Sequence, residues 1–198
     1  MKKKLLMAAT VFTVAAAAQC RVSQQKGDSE LGLFTGAVIP PGGGDVKMGG
    51  GANYAYAINK YLYPYGEFSV LPGGLNSTVE AGNSRFTSRG NLADFHGGLH
   101  VRLPISDCIV PYGVFAVGGI RSYSGTLDEI NNQTNKIISS SPIESQTQFA
   151  VNYGAGIRYY ITNKIGVRLE VKAYGPTNKF GGTPVRVMGG VFFQFKRK

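Results

Sequence analysis

Several things this chain lacks narrow its function before any motif is read. Past the N-terminal region, no apolar run approaches the roughly 18–20 residues that a helical membrane span needs, so the mature protein is either soluble or a β-barrel. Trp is absent and there are two His and two Cys in 198 residues. Lys and Arg do not cluster with aromatics except in the tail Lys196-Arg197-Lys198, which argues against nucleic acid as a partner. The glycine-rich stretches Gly42-Gly43-Gly44-Asp45 and Met48-Gly49-Gly50-Gly51 lack a following Gly-Lys-Ser/Thr, so they are not phosphate loops.

The two histidines, His96 and His100, have the spacing of a metal-ligand pair on a helix. On a strand the same spacing separates them by roughly 13 Å, too far for one ion. No Glu accompanies them and no third ligand lies nearby. Surface serines are plentiful (Ser122, Ser124, Ser139 to Ser141), but no histidine sits in a long connection to activate one, so a lipid-modifying enzyme is not expected. No catalytic residue, metal or cofactor is assigned.

What the chain does have begins at the N-terminus. Lys2-Lys3-Lys4, a short apolar run from Leu5 to Val14, and Ala16-Ala17-Ala18 make a secretory signal peptide over residues 1–18. A lipoprotein reading centred on Cys20 fits less well, because the preceding residue is Gln19 rather than a small one. Removing three signal lysines from 21 basic residues leaves 18 against 11 acidic ones. A basic excess of that size suits a surface facing lipopolysaccharide phosphates. Glycine is abundant at 28 residues and Tyr and Phe number 11 each, a profile for many short strands.

Period-two segments run near 30–39, 49–58, 62–71, 91–103, 109–121, 148–161, 165–174 and 185–195. Their connections alternate. Residues 59–61, 104–108 and 162–164 are tight, whereas 40–48, 72–90, 122–146 and 175–184 are long and polar. That alternation predicts an all-β fold, an eight-stranded antiparallel up-and-down barrel with both termini on the short-turn side. Residues 19–29 form a periplasmic N-terminal segment and 30–198 the barrel domain.

The faces of the strands choose between a membrane barrel and a soluble one. Over 165–174, Val167, Leu169, Val171 and Ala173 alternate with Arg168, Glu170, Lys172 and Tyr174. Near 91–103, Phe95, Leu99, Val101 and Leu103 alternate with Asp94, His96, His100 and Arg102. A charge in the middle of a lipid-facing surface costs about 2–4 kcal/mol, so the ionised residues belong in the lumen. On that side Arg102, Arg158, Arg168, Lys172 and Arg186 stand against Glu30, Glu67, Asp94 and Glu170. An eight-stranded lumen is just filled by side chains, so these ions are expected to pair and close it, with Arg158 near Glu170.

The N-terminus, the unit Gly50-Gly51-Ala52-Asn53-Tyr54-Ala55-Tyr56-Ala57-Ile58-Asn59-Lys60 and the ending Gly190-Val191-Phe192-Phe193-Gln194-Phe195 together carry a family resemblance. Over 30–195 the chain resembles the small outer-membrane β-barrels typified by OmpA transmembrane domains, OmpX and opacity-type surface proteins. The resemblance implies integral residence in the outer membrane of a Gram-negative-type bacterium. It implies recognition by the barrel-assembly machinery through Gly190, Phe193 and Phe195. Met188, where a polar residue is common, and the basic tail depart from the pattern.

Cys20 and Cys108 both fall on the periplasmic side, an oxidising compartment, and a disulfide between them is geometrically open. The functional expectation is a non-enzymatic barrel with a closed lumen, contributing to envelope integrity and binding surface ligands through 72–90 and 122–146. A narrow channel for small solutes is the alternative.

Overall fold

The computed structural model describes residues 25–40, 45–175 and 183–196; the expected signal peptide and Cys20 lie outside them. Ten strands occur in chain order: β1 (Ser29–Ile39), β2 (Lys47–Tyr56), β3 (Leu62–Leu71), β4 (Ser77–Ala81), β5 (Ser84–Arg102), β6 (Ile109–Asn131), β7 (Ile137–Ile143), β8 (Thr147–Tyr160), β9 (Ile165–Tyr174) and β10 (Val185–Phe195). Every pairing is antiparallel. Pairing of β5 with β6 closes the sheet, so β1, β2, β3, β5, β6, β8, β9 and β10 form an eight-stranded barrel.

Burial alternates along each barrel strand with the parity that the sequence predicts. In β9 every even residue from Gly166 to Tyr174 is buried, while Val167, Leu169 and Val171 are exposed. Among the described residues, the largest fully buried side chains include Arg102, Arg158, Lys172, Glu30 and Glu170. Leu169 is 64% exposed and Phe149 68%. Charge inside and grease outside is the reverse of a water-soluble barrel. The outer surface is stable only against acyl chains.

The three tight turns share one local device. The Asn59 side-chain oxygen accepts from the backbone N–H of Tyr61 and Leu62 at 2.8 and 2.9 Å. The Ser106 hydroxyl accepts from Cys108 and Ile109, and that of Thr162 from Lys164 and Ile165. A short polar side chain thus satisfies the donors that a turn leaves unpaired, which is why Asn, Ser and Thr hold these positions.

The connections at the other end depart from the expectation of long loops. Much of 72–90 and 122–146 is strand. β6 runs for 23 residues, about twice the 9–11 that cross a bilayer. Residues 84–89 of β5 pair with 126–131 of β6, and β4 and β7 flank them, giving a four-stranded sheet in the order β4-β5-β6-β7. Period two is faint here because both faces meet water and neither must be apolar. Ser and Thr supply cross-strand contacts instead, such as Ser77 to Ser88 at 2.8 Å and Ser140 to Asp128 at 2.6 Å.

A bulge marks the junction between barrel and sheet. Asn91 pairs with Tyr123 and Arg89 with Thr126, leaving Ser124 and Gly125 opposite Gly90. Ser124 and Gly90 both have positive φ, at 54° and 155°. A Cβ on Gly90 would come within 2.9 Å of Leu75 and 3.0 Å of Gly125, so glycine is required there for both reasons.

Candidate functional site

The lumen holds three ionic layers. Nearest the tight turns, Glu30 of β1 accepts from Arg102 of β5 at 2.9 Å and from Arg158 of β8 in a shorter contact. Arg158 also lies 3.1 Å from Nδ1 of His100, whose ring stacks on Tyr65 at 3.9 Å between centroids. The Arg102 guanidinium covers the Tyr63 ring at 3.3 Å. Below this layer, Gln194 donates to Asp28 at 2.9 Å.

In the middle layer Lys172 sits between Glu67 and Glu170, 2.8 Å from each. The Tyr112 hydroxyl donates to Glu170. Toward the outer mouth, Arg186 reaches Asp94 at 3.0 Å, the Tyr174 hydroxyl at 2.9 Å and Glu67 at 3.7 Å. His96 lies 3.4 Å from Asp94. Above the Arg186–Asp94 pair opens a cavity of about 730 Å³ with Val70, Leu71, Leu92 and Ile120 among its walls.

Eight of the nine charged positions singled out in the sequence (Glu30, Glu67, Asp94, Arg102, Arg158, Glu170, Lys172 and Arg186) therefore have an opposite charge within ion-pair reach. Arg168 does not; its guanidinium lies 5.3 Å from the Phe34 ring. Arg158 and Glu170 are diagonal neighbours, as expected, but the carboxylate that Arg158 reaches is that of Glu30. Arg158 stands directly opposite Arg168, and Glu170 opposite Gly156. Arg158 instead spans the narrow lumen to Glu30, since a long side chain bonds across the barrel as readily as to a diagonal neighbour. Glu30 as hub was legible only as a lumen-facing acid, because strand parity gives a side and not a partner.

His96 and His100 both face inward and are buried. Among the described residues, no group of three or more His, Cys, Asp or Glu could hold a metal ion. Phe193 and Phe195 lie on the outer surface, and Gly190 faces the lumen beside Phe34, where a Cβ would come 2.8 Å from that of Phe34. Gly190 thus has a packing reason of its own. Cys108 is disulfide-bonded; its expected partner, Cys20, is outside the described residues.

A closed barrel with an inverted surface defines a class, and comparison with known proteins gives it a family. Residues 5–186 match the model of the outer membrane protein beta-barrel domain. The chain belongs to that family. It resides in the Gram-negative outer membrane. No curated protein sequence matches it. Among solved structures of the same fold, Ail, the attachment invasion locus protein of Yersinia pestis, superposes with a TM-score of 0.53 at 16% identity, over 86% of this chain and 100% of Ail. Ail has also been solved with the heparin analogue sucrose octasulfate. The N-terminal barrel of Pseudomonas aeruginosa OprF gives 0.53 at 17% identity, over 87% and 100%. Neisserial surface protein A gives 0.56 at 14%, over 85% and 96%. These likenesses show the family's fold on a sequence that has diverged far from each of them.

Proposed function

We propose that this protein is a non-enzymatic outer-membrane barrel that contributes to envelope integrity and presents its four-stranded sheet as a contact surface outside the cell. The observation that carries this reading is the length of β5 and β6. Strands of 19 and 23 residues far exceed what a bilayer needs, and the excess is ordered sheet rather than slack connection. A rigid platform lowers the ordering cost of binding. On and beside it Arg89, Arg121 and Lys136 are exposed, and so are Ile137 and Ile138 of the edge strand β7. Ail's complex with a heparin analogue makes a sulfated glycan the first ligand class to try.

The ionic layers support a lumen closed to solutes, because every layer places side chains across a narrow bore. Lipopolysaccharide phosphates match the basic excess of the mature chain, and Gly190, Phe193 and Phe195 are the proposed signal for the barrel-assembly machinery. Replacing 124–144 by a short Gly-Ser turn tests the contact role. Adhesion of expressing cells and retention on a sulfated-glycan column should fall to background, while heat-modifiable gel migration and resistance of the cells to detergent stay unchanged. Adhesion that survives the replacement would refute the assignment of the sheet.

A further inference from the structure

The lumen changes character at its outer end. On the parity that carries ions lower down, the inward side chains there include Val38, Leu71, Leu92 and Ile120, and all four line the cavity of about 730 Å³ above the Arg186–Asp94 pair. Leu92 packs against the cluster of Ile120, Ala150 and Tyr174. Aliphatic side chains turned into a cavity of that size are costly if water alone fills it. One wall is also fixed in place. Residues 73–76 are fastened to β5 by hydrogen bonds from Gly73 N–H to the Asn91 side chain (2.9 Å), Gly90 N–H to that of Asn76 (3.1 Å), Leu75 N–H to the Gly90 carbonyl (3.1 Å) and the Ser88 hydroxyl to the Leu75 carbonyl (2.7 Å). The floor is polar and incompletely bonded. Arg186 reaches Asp94, Tyr174 and Glu67 through Nη1 alone, so Nε and Nη2 have no acceptor among the described residues. Ser69 is 4% exposed, lines the cavity, and its hydroxyl has no partner among the described residues. Asp94 Oδ1 has only His96 beside it, at 3.4 Å.

An apolar chamber with a few convergent polar groups at one end is the form of a small-molecule site, and the volume lies within the roughly 300–1,000 Å³ that such sites occupy. The charges decide the class of ligand. Arg186 is matched by Asp94 on the floor, and Lys47 by Asp45 at 3.6 Å on the rim, so the chamber offers no net charge to an ionic head. A charged head would be desolvated there without a counter-ion. What the floor does offer is donors and acceptors side by side: Arg186 Nε and Nη2, the Ser69 hydroxyl and Asp94 Oδ1. From this geometry we infer that the outer mouth is a binding site for a small uncharged amphiphile with an amide head. Its carbonyl accepts from Arg186, its N–H donates to Asp94 or Ser69, and its apolar body lies against Leu71, Leu92 and Ile120. The cavity lies above the ionic layers, so the site stands apart from whether the lumen below it conducts and from what the projecting sheet binds.

The test uses the mature protein in phospholipid nanodiscs with labelled Ile, Leu and Val methyl groups, observed by NMR. Hexanamide, hexanoate and hexylammonium, which share a chain length and differ in the head, are titrated separately. Hexanamide should shift the Leu92 and Ile120 methyl signals saturably and leave those of lipid-facing Leu169 and Val171 in place. The two charged probes should bind at least about tenfold more weakly, since each brings a charge that the site does not match. Ser69→Phe fills the cavity and should abolish the shifts while heat-modifiable migration is kept. Ser69→Ala keeps the space and removes one partner of the head, so hexanamide should weaken by about threefold to tenfold; it carries the test if the larger substitution does not fold. A wild-type protein with no saturable shift overturns the inference. So does an equal response to all three heads, movement of the Leu169 signal in step with that of Leu92, or binding that a folded Ser69→Phe leaves unchanged.

Discussion

Arg158 and Arg168 face each other directly across the β8–β9 pair, yet only Arg158 reaches a carboxylate. That carboxylate belongs to Glu30 on β1, across the barrel, and Arg102 of β5 shares it. One side chain thus ties three non-neighbouring strands through the interior.

Glu30 should therefore matter more to stability than any single neighbour contact. Glu30→Gln keeps the volume and leaves two guanidinium groups without their counter-charge. The expected loss is about 3–5 kcal/mol in urea unfolding of the barrel in phospholipid. Glu80→Gln, on the exposed strand β4, should change stability by less than about 0.5 kcal/mol.

Leu169 and Val79 are comparably exposed, at 64% and 60%, but the one faces lipid and the other water. Leu169→Arg should cost about 2–4 kcal/mol by the same unfolding measurement. Val79→Arg should be near neutral. Equal costs would remove the placement of the bilayer against β9.

The projecting sheet should be visible by hydrogen exchange in the folded protein. Backbone amides of 84–89 and 126–131 that bond across the β5–β6 pair are expected to exchange more slowly than those of the tight turn 104–108. Uniformly fast exchange across 122–146 would return that segment to a loop.

The sequence predicts a disulfide from Cys108 to Cys20. Alkylation of unreduced mature protein should add no mass, and alkylation after reduction should add two labels. Labelling without reductant would contradict the bridge.

The eight barrel strands could be read from residues such as Phe95 and Leu169 because lipid enforces strict alternation, and any charge of the wrong parity is costly. Their tight turns were equally legible from Asn59, Ser106 and Thr162. The upper halves of β5 and β6 were not. There Arg85, Thr87 and Glu129 are partly exposed on a sheet that lies outside the bilayer, so no lipid penalises either parity. Ion-pair partners were legible only in part. Strand parity places Glu30, Arg158 and Arg168 on one side of the wall, but in a bore this narrow each arginine has several acids within reach. Register and side-chain length decide among them, and neither is written in a local pattern.

Closure of the lumen by the Glu30, Lys172 and Arg186 layers is the claim on which the functional proposal depends, and single-channel recording in planar bilayers tests it most directly. The reconstituted wild-type protein should show no steady conductance under applied voltage. A stable, ohmic step in the wild type would contradict a closed lumen and favour a channel for small solutes.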